Sequence, residues 1–111
     1  MRTAFGITFR AFLLVTLAGC TAPRGPFAIS DADPANKIPA IRHASKNTNP
    51  ADRAQLVADL NSDDPAVRLF SIEALEKITG ERLGYQYYFD EEQRAPSIAR
   101  WKAWLEKDTR P

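Results

Sequence analysis

The chain has one cysteine, Cys20, and one histidine, His43. A lone thiol forms no intramolecular disulfide, and one histidine is too few for a Cys/His metal site or a metal pair. The five glycines are scattered, and none sits in a phosphate-cradling pattern. A set of Ser45, His43 and Asp52 exists on paper, but nothing around Ser45 resembles a nucleophile elbow. Asp63-Asp64 and Asp90-Glu91-Glu92 lack the alternating ligands and central glycine of a calcium loop. No catalytic residue, metal or other cofactor is therefore expected, and no small-molecule ligand. Like charges never run to five, so a basic arm or acidic tail is absent, and 15 basic against 14 acidic residues give no electrostatic reason for nucleic acid.

Acidic residues are also missing from the first thirty positions, where Arg2 and Arg10 precede the apolar stretch Ala11–Ala18. That stretch is about eight residues, far short of the roughly 20 needed to span a bilayer. It suits the core of a signal peptide, with small residues ahead of the cut. Leu17-Ala18-Gly19-Cys20 resembles the bacterial lipobox at all four positions. The resemblance implies a leader over 1–19, lipid on Cys20, and Cys20 as the first residue of the mature chain. Two or more acyl chains hold a protein firmly to a membrane where one binds marginally. Thr21 rather than Asp at the second mature position implies, in a two-membrane host, the outer membrane. The expected location is thus the cell envelope. A buried apolar helix with a core cysteine is the competing reading, and it leaves the charge pattern and small residues unexplained. With Arg2 and Arg10 removed, 13 basic residues face 14 acidic ones. Thr21–Phe27 holds two prolines and a glycine without periodicity, so 20–33 reads as lipidated terminus and tether.

The remainder, 34–108, reads as one helical domain. Asp33-Pro34-Ala35, Asn49-Pro50-Ala51 and Asp64-Pro65-Ala66 repeat one signal. Asx caps otherwise orphaned amides, and proline at the next position gives up an amide with no helical partner. The second and third copies also share Arg53 and Arg68, then Leu60 and Leu75, in register. Helices are expected at 34–46, 50–61 and 65–79, the first weakened by Pro39. The third is apolar on two sides, with Val67, Phe70, Ala74, Leu75 and Ile78 on one and Leu69 and Ile72 off it. Such a helix is sandwiched between neighbours. Gly80 suits its left-handed stop. A fourth helix carries Ile98, Trp101 and Leu105 on one face, with Trp104 on the flank. Asp90–Gln93 resembles a capping box, but Pro96 lies deep for that start, so the helix is expected to begin at 94–96 and end near Lys107.

Asp63-Asp64-Pro65-Ala66-Val67-Arg68, then Ile72-Glu73-Ala74-Leu75, closely resembles the second helix of a HEAT repeat. Ser71 and Ile72 depart from its usual small residues. The resemblance covers about 35–107. It implies an all-α fold of about four antiparallel helices, as HEAT-like hairpins closed by the Trp-containing last helix. Four helices make about two repeats where about three normally bury a continuous core, which favours a compact domain over a solenoid. HEAT surfaces bind proteins, so a non-catalytic adaptor or scaffold engaging another envelope protein is the leading function. A structural or accessory lipoprotein without a dedicated groove is the alternative. Gly84-Tyr85-Gln86-Tyr87-Tyr88-Phe89 packs four aromatics into six residues. Either Tyr85, Tyr87 and Tyr88, with Trp104, form a protein contact, or the loop is a lid over a small core with its hydroxyls in water.

Overall fold

The computed structural model describes residues 28–46 and 49–111. Cys20, the leader and most of the tether lie outside them. Four α-helices make up the fold: α1 (Pro34–Ala44), α2 (Pro50–Asp59), α3 (Pro65–Thr79) and α4 (Glu91–Asp108). The all-α, four-helix class expected from the sequence is the observed one.

Every helix starts on a side-chain cap. Asp33 Oδ1 accepts from the Ala35 amide at 2.9 Å, Asn49 Oδ1 from Asp52 at 2.8 Å, and Asp64 Oδ1 from Ala66 at 2.7 Å and Val67 at 3.2 Å. The three Asx-Pro signals are therefore true helix starts, with proline at the first helical position in each. Asp64→Ala is expected to cost about 0.5–2 kcal/mol, because two amides lose their acceptor. Asp63 is exposed and outside the helix, so Asp63→Ala should cost less. Denaturant midpoints of the two variants check the order; a larger loss at Asp63 contradicts this boundary.

The helix ends divide by chemistry. Gly80, at φ 80°, stops α3 where expected, because a left-handed residue without a Cβ is cheap there. The ends of α1 and α2 carry no such glycine, and both helices finish two residues before the expected limits, at Ala44 and Asp59. The start of α4 also differs from expectation. Asp90 Oδ1 accepts from the Gln93 amide at 2.8 Å while Gln93 Oε1 accepts from the Asp90 amide at 3.2 Å, a complete capping box. Pro96 lies inside the helix and is tolerated because Pro96 and Glu92 are both exposed. An exposed position lets water replace the helical donor that the Glu92 carbonyl loses. Pro39 in α1 follows the same rule, four residues after exposed Ala35.

Helix α3 packs against both α1 and α2, and α4 packs against α2. Its two apolar sides are used accordingly, with Val67, Ile72, Ala74 and Leu75 all buried. Ser71 is buried as well, its Oγ without a hydrogen-bond partner. The core gathers Ile41 from α1, Leu56 and Val57 from α2, these α3 residues, and Ile98 and Trp101 from α4, with Leu60 and Tyr85 from the connections. Ile29, ahead of α1, also packs on it.

Ionic clips supplement the core. Lys37 Nζ lies 2.8 Å from Asp59 Oδ1, and Gln55 Nε2 donates to the same oxygen at 3.0 Å. Asp59 closes α2, where the helix dipole disfavours a carboxylate, and it is buried. Lys37 therefore supplies the compensating charge and ties α1 to the end of α2. Arg53 Nε pairs with Asp108 Oδ2 at 2.7 Å and joins α2 to the last turn of α4.

Candidate functional site

The segment between α3 and α4 is built as two consecutive turns. The Tyr85 amide donates to Arg82 O at 3.0 Å, and the Phe89 amide to Gln86 O at 3.2 Å. In the first turn both central residues have positive φ, Leu83 at 53° and Gly84 at 78°. Glycine takes that conformation freely, whereas leucine is strained there. Two contacts offset the strain. The Leu83 side chain packs on the core, and Arg100 Nε donates to Leu83 O at 3.0 Å. A Cβ at Gly84 would sit 2.9 Å from Arg100 Nη2, a contact the end of that side chain can yield, so the positive φ is what calls for glycine.

The backbone of this loop is held by side chains from both flanking helices. Trp101 Nε1 donates to Arg82 O at 3.0 Å, Arg68 Nε to Tyr87 O at 2.9 Å, and Arg94 Nη1 to Phe89 O. Arg68 Nη1 reaches further, to Ser62 O at 2.6 Å and Asp63 O at 3.1 Å. One guanidinium thus fastens the α2–α3 connection to the aromatic loop. In the sequence Arg68 stands out as a repeated position and as part of the HEAT-like motif; the structure gives it this task. Charged donors to buried or half-buried carbonyls are among the stronger hydrogen bonds.

The aromatic side chains separate into two groups. Tyr85 is fully buried, and its hydroxyl donates to Leu60 O at 2.6 Å. Its hydroxyl is therefore not left in water, as a simple lid would have it, but pins the loop to the end of α2. Burial pushes the Tyr85 pKa up to about 12, while the guanidinium groups of Arg94 and Arg68 pull it the other way. Tyr88 is the opposite case. It is 65% exposed, and among the described residues no other large hydrophobic side chain is exposed.

Tyr87 and Phe89 flank Tyr88 edge-on, with ring centroids 5.4 and 5.3 Å away and planes at 88° and 83°. Tyr87 is half-buried against the core. Trp104 is also half-buried, and its ring partner is Trp101, at 5.4 Å and 78°. Of the four aromatics expected to meet a protein, Tyr88 is open, Tyr87 and Trp104 show part of their surface, and Tyr85 faces inward. The loop thus buries one tyrosine, Tyr85, and leaves another, Tyr88, exposed.

Among the described residues no group of three His, Cys, Asp or Glu could hold a metal ion, and no helix is long and apolar enough to cross a membrane. Comparison of the chain with known protein families, with curated proteins and with solved structures finds no match to any of them.

Proposed function

We propose that this chain is a lipid-anchored envelope protein whose HEAT-like helical domain docks another envelope protein through the face bearing Tyr88. It acts as a non-catalytic adaptor, held to the membrane by lipid on Cys20. The anchor rests on Leu17-Ala18-Gly19-Cys20 and the charged, apolar leader before it. The HEAT-like reading rests on the Asp64-Pro65 start of α3 together with Arg68.

The observation that carries the docking reading is a contrast within the eight residues Arg82–Phe89. The loop is fastened at Arg82, Leu83, Tyr87 and Phe89 by four side chains and at Tyr85 by its own hydroxyl, while Tyr88 at its tip is left 65% exposed. A tyrosine presented to water from a fastened backbone suits a binding anchor, because less of the backbone remains to be ordered when the partner arrives. Exposed aromatics of this type supply large contact area at low entropic cost.

The test combines two variants of the full chain in its native membranes. Cys20→Ser should abolish labelling by a fatty-acid probe and release the protein from the membrane fraction. Tyr88→Ala should leave labelling and thermal midpoint unchanged but weaken recovery of a crosslinked partner about tenfold or more, as loss of a hot-spot residue does. Full membrane retention of the Cys20 variant removes the anchor. Undiminished partner recovery with Tyr88→Ala removes the docking face.

A further inference from the structure

A second surface lies at the C-terminal ends of α1 and α3. Arg42, His43, Ser45, Lys46 and Lys77 line an open groove of about 460 Å³. A smaller neighbouring hollow shares Arg42, Ser45 and Lys77 and adds Glu73. Basic residues in the last turn of a helix are favoured by its dipole, which accounts for Arg42, His43 and Lys77 singly. It accounts neither for Lys46, which follows α1, nor for the convergence of residues from the ends of two helices that are not consecutive in the chain.

The charges of this groove are not neutralised within the protein. Lys37, Arg53 and Arg82 each lie within 2.7–2.8 Å of a carboxylate. Arg42, Lys46 and Lys77 have no ion pair among the described residues. No residue outside that set is acidic, because the first acidic residue is Asp31 and positions 47–48 are Asn and Thr. Three cations against the single carboxylate of Glu73 leave the groove net positive, and the partial negative charge of the two helix ends, about half a unit each, offsets only part of that surplus. Ser45 holds the shape by donating to Arg42 O at 2.8 Å, and Arg42 is set by its place over the Phe70 ring, 6.0 Å from the centroid.

The geometry points to a phosphate-bearing ligand in this groove, gripped by Arg42 with Lys46 and Lys77. A phosphate monoester near neutral pH carries about −1.5 to −2 charges on three acceptor oxygens, which a net-positive groove attracts. Arginine can meet two of those oxygens with its planar fork, and the lysines act as mobile point charges on the others. The phosphate can belong to a phospholipid headgroup or to a soluble phosphorylated molecule. A monoester offers up to about two charges on three oxygens and a phospholipid diester one charge on two, and both present phosphoryl oxygens to the same side chains. This assignment is independent of the Tyr88 docking face.

Lysine footprinting of the full chain in phosphatidylcholine nanodiscs tests it. One arm adds inorganic pyrophosphate; the other replaces part of the lipid with phosphatidylglycerol. Lys46, Lys77, Lys102 and Lys107 are all exposed, so the last two serve as internal controls. Acetylation of Lys46 and Lys77 should slow several-fold and saturably in at least one arm, with Lys102 and Lys107 unchanged. Protection by pyrophosphate alone assigns a soluble ligand, and protection by phosphatidylglycerol alone assigns a headgroup. Arg42→Gln, at an exposed position, should weaken the protection about tenfold by removing the charged fork. No protection in either arm, equal slowing at the control lysines, or protection undiminished in Arg42→Gln overturns the proposal.

Discussion

Trp101→Ala is expected to lower the stability of the helical domain by about 3–5 kcal/mol, the usual range for emptying a buried tryptophan site. Trp101 is fully buried, at the point where α4 meets the core and the aromatic loop. Its truncation leaves a cavity and also strips Arg82 O of the indole donor at 3.0 Å. A domain this small has on the order of 5–15 kcal/mol in total, so the variant should be close to unfolding. Trp104, three positions on, is half-buried and edge-on to Trp101, and Trp104→Ala should cost clearly less. Iodide quenching checks the same contrast without truncation. The protein carrying Trp104→Phe, which keeps only Trp101, should be the less quenched of the two single-tryptophan forms. The opposite order contradicts the packing of α4.

The second large effect is set by pH. The Tyr85 hydroxyl ionises near 10 in an unfolded chain and near 12 in the fold, where burial disfavours the phenolate. Below pH 10 both states hold the proton, and the contribution of the buried neutral hydroxyl is fully present. Between pH 10 and 12 the unfolded state releases its proton while the native state retains it, so stability falls as pH rises. The loss should reach about 2–3 kcal/mol by the top of that window. Lysines titrate in the same range, so the reference is Tyr85→Phe, which lacks the proton. That variant is weaker at neutral pH because Leu60 O loses its donor, yet its stability should decline less between pH 10 and 12. Urea midpoints across the window measure the difference. Parallel pH dependence in the two proteins contradicts a buried neutral Tyr85 hydroxyl.

Local signals were the legible part of this fold. Asx-Pro at three helix starts and Gly80 at one stop act within a few residues, and each falls where the sequence placed it. The ends of α1 and α2 were set too late because Ser45 and Leu60 close them in ordinary right-handed conformation. The start of α4 falls earlier than the 94–96 expected because the Asp90–Gln93 capping box forms despite Pro96. Whether a proline breaks a helix depends on whether the carbonyl four residues back faces water, and that is a tertiary fact.

The aromatic loop shows the same limit at the candidate site. Composition marked Tyr85, Tyr87 and Tyr88 as a cluster, but it could not sort them. Which ring turns inward follows from the turn at Leu83-Gly84 and from Leu60, 25 positions earlier in the chain. The bonds from Arg94 and Arg100 to loop carbonyls leave no trace in the sequence pattern, and the repeated position of Arg68 does not show that it reaches the loop. Lys37 with Asp59, and the groove between Arg42 and Lys77, are likewise pairings across distant positions.

The claim that a pinned loop presents Tyr88 to a protein partner is tested most directly by site-specific photocrosslinking in intact membranes. A photoreactive residue is placed at position 88 and, in a separate protein, at position 106, which is exposed near the end of α4. A discrete crosslinked species should form from position 88 and not from 106, and it should disappear when the neighbouring loop is loosened by Arg68→Ala, which removes the donor to Tyr87 O. No product from position 88, or the same products from both positions, contradicts the account.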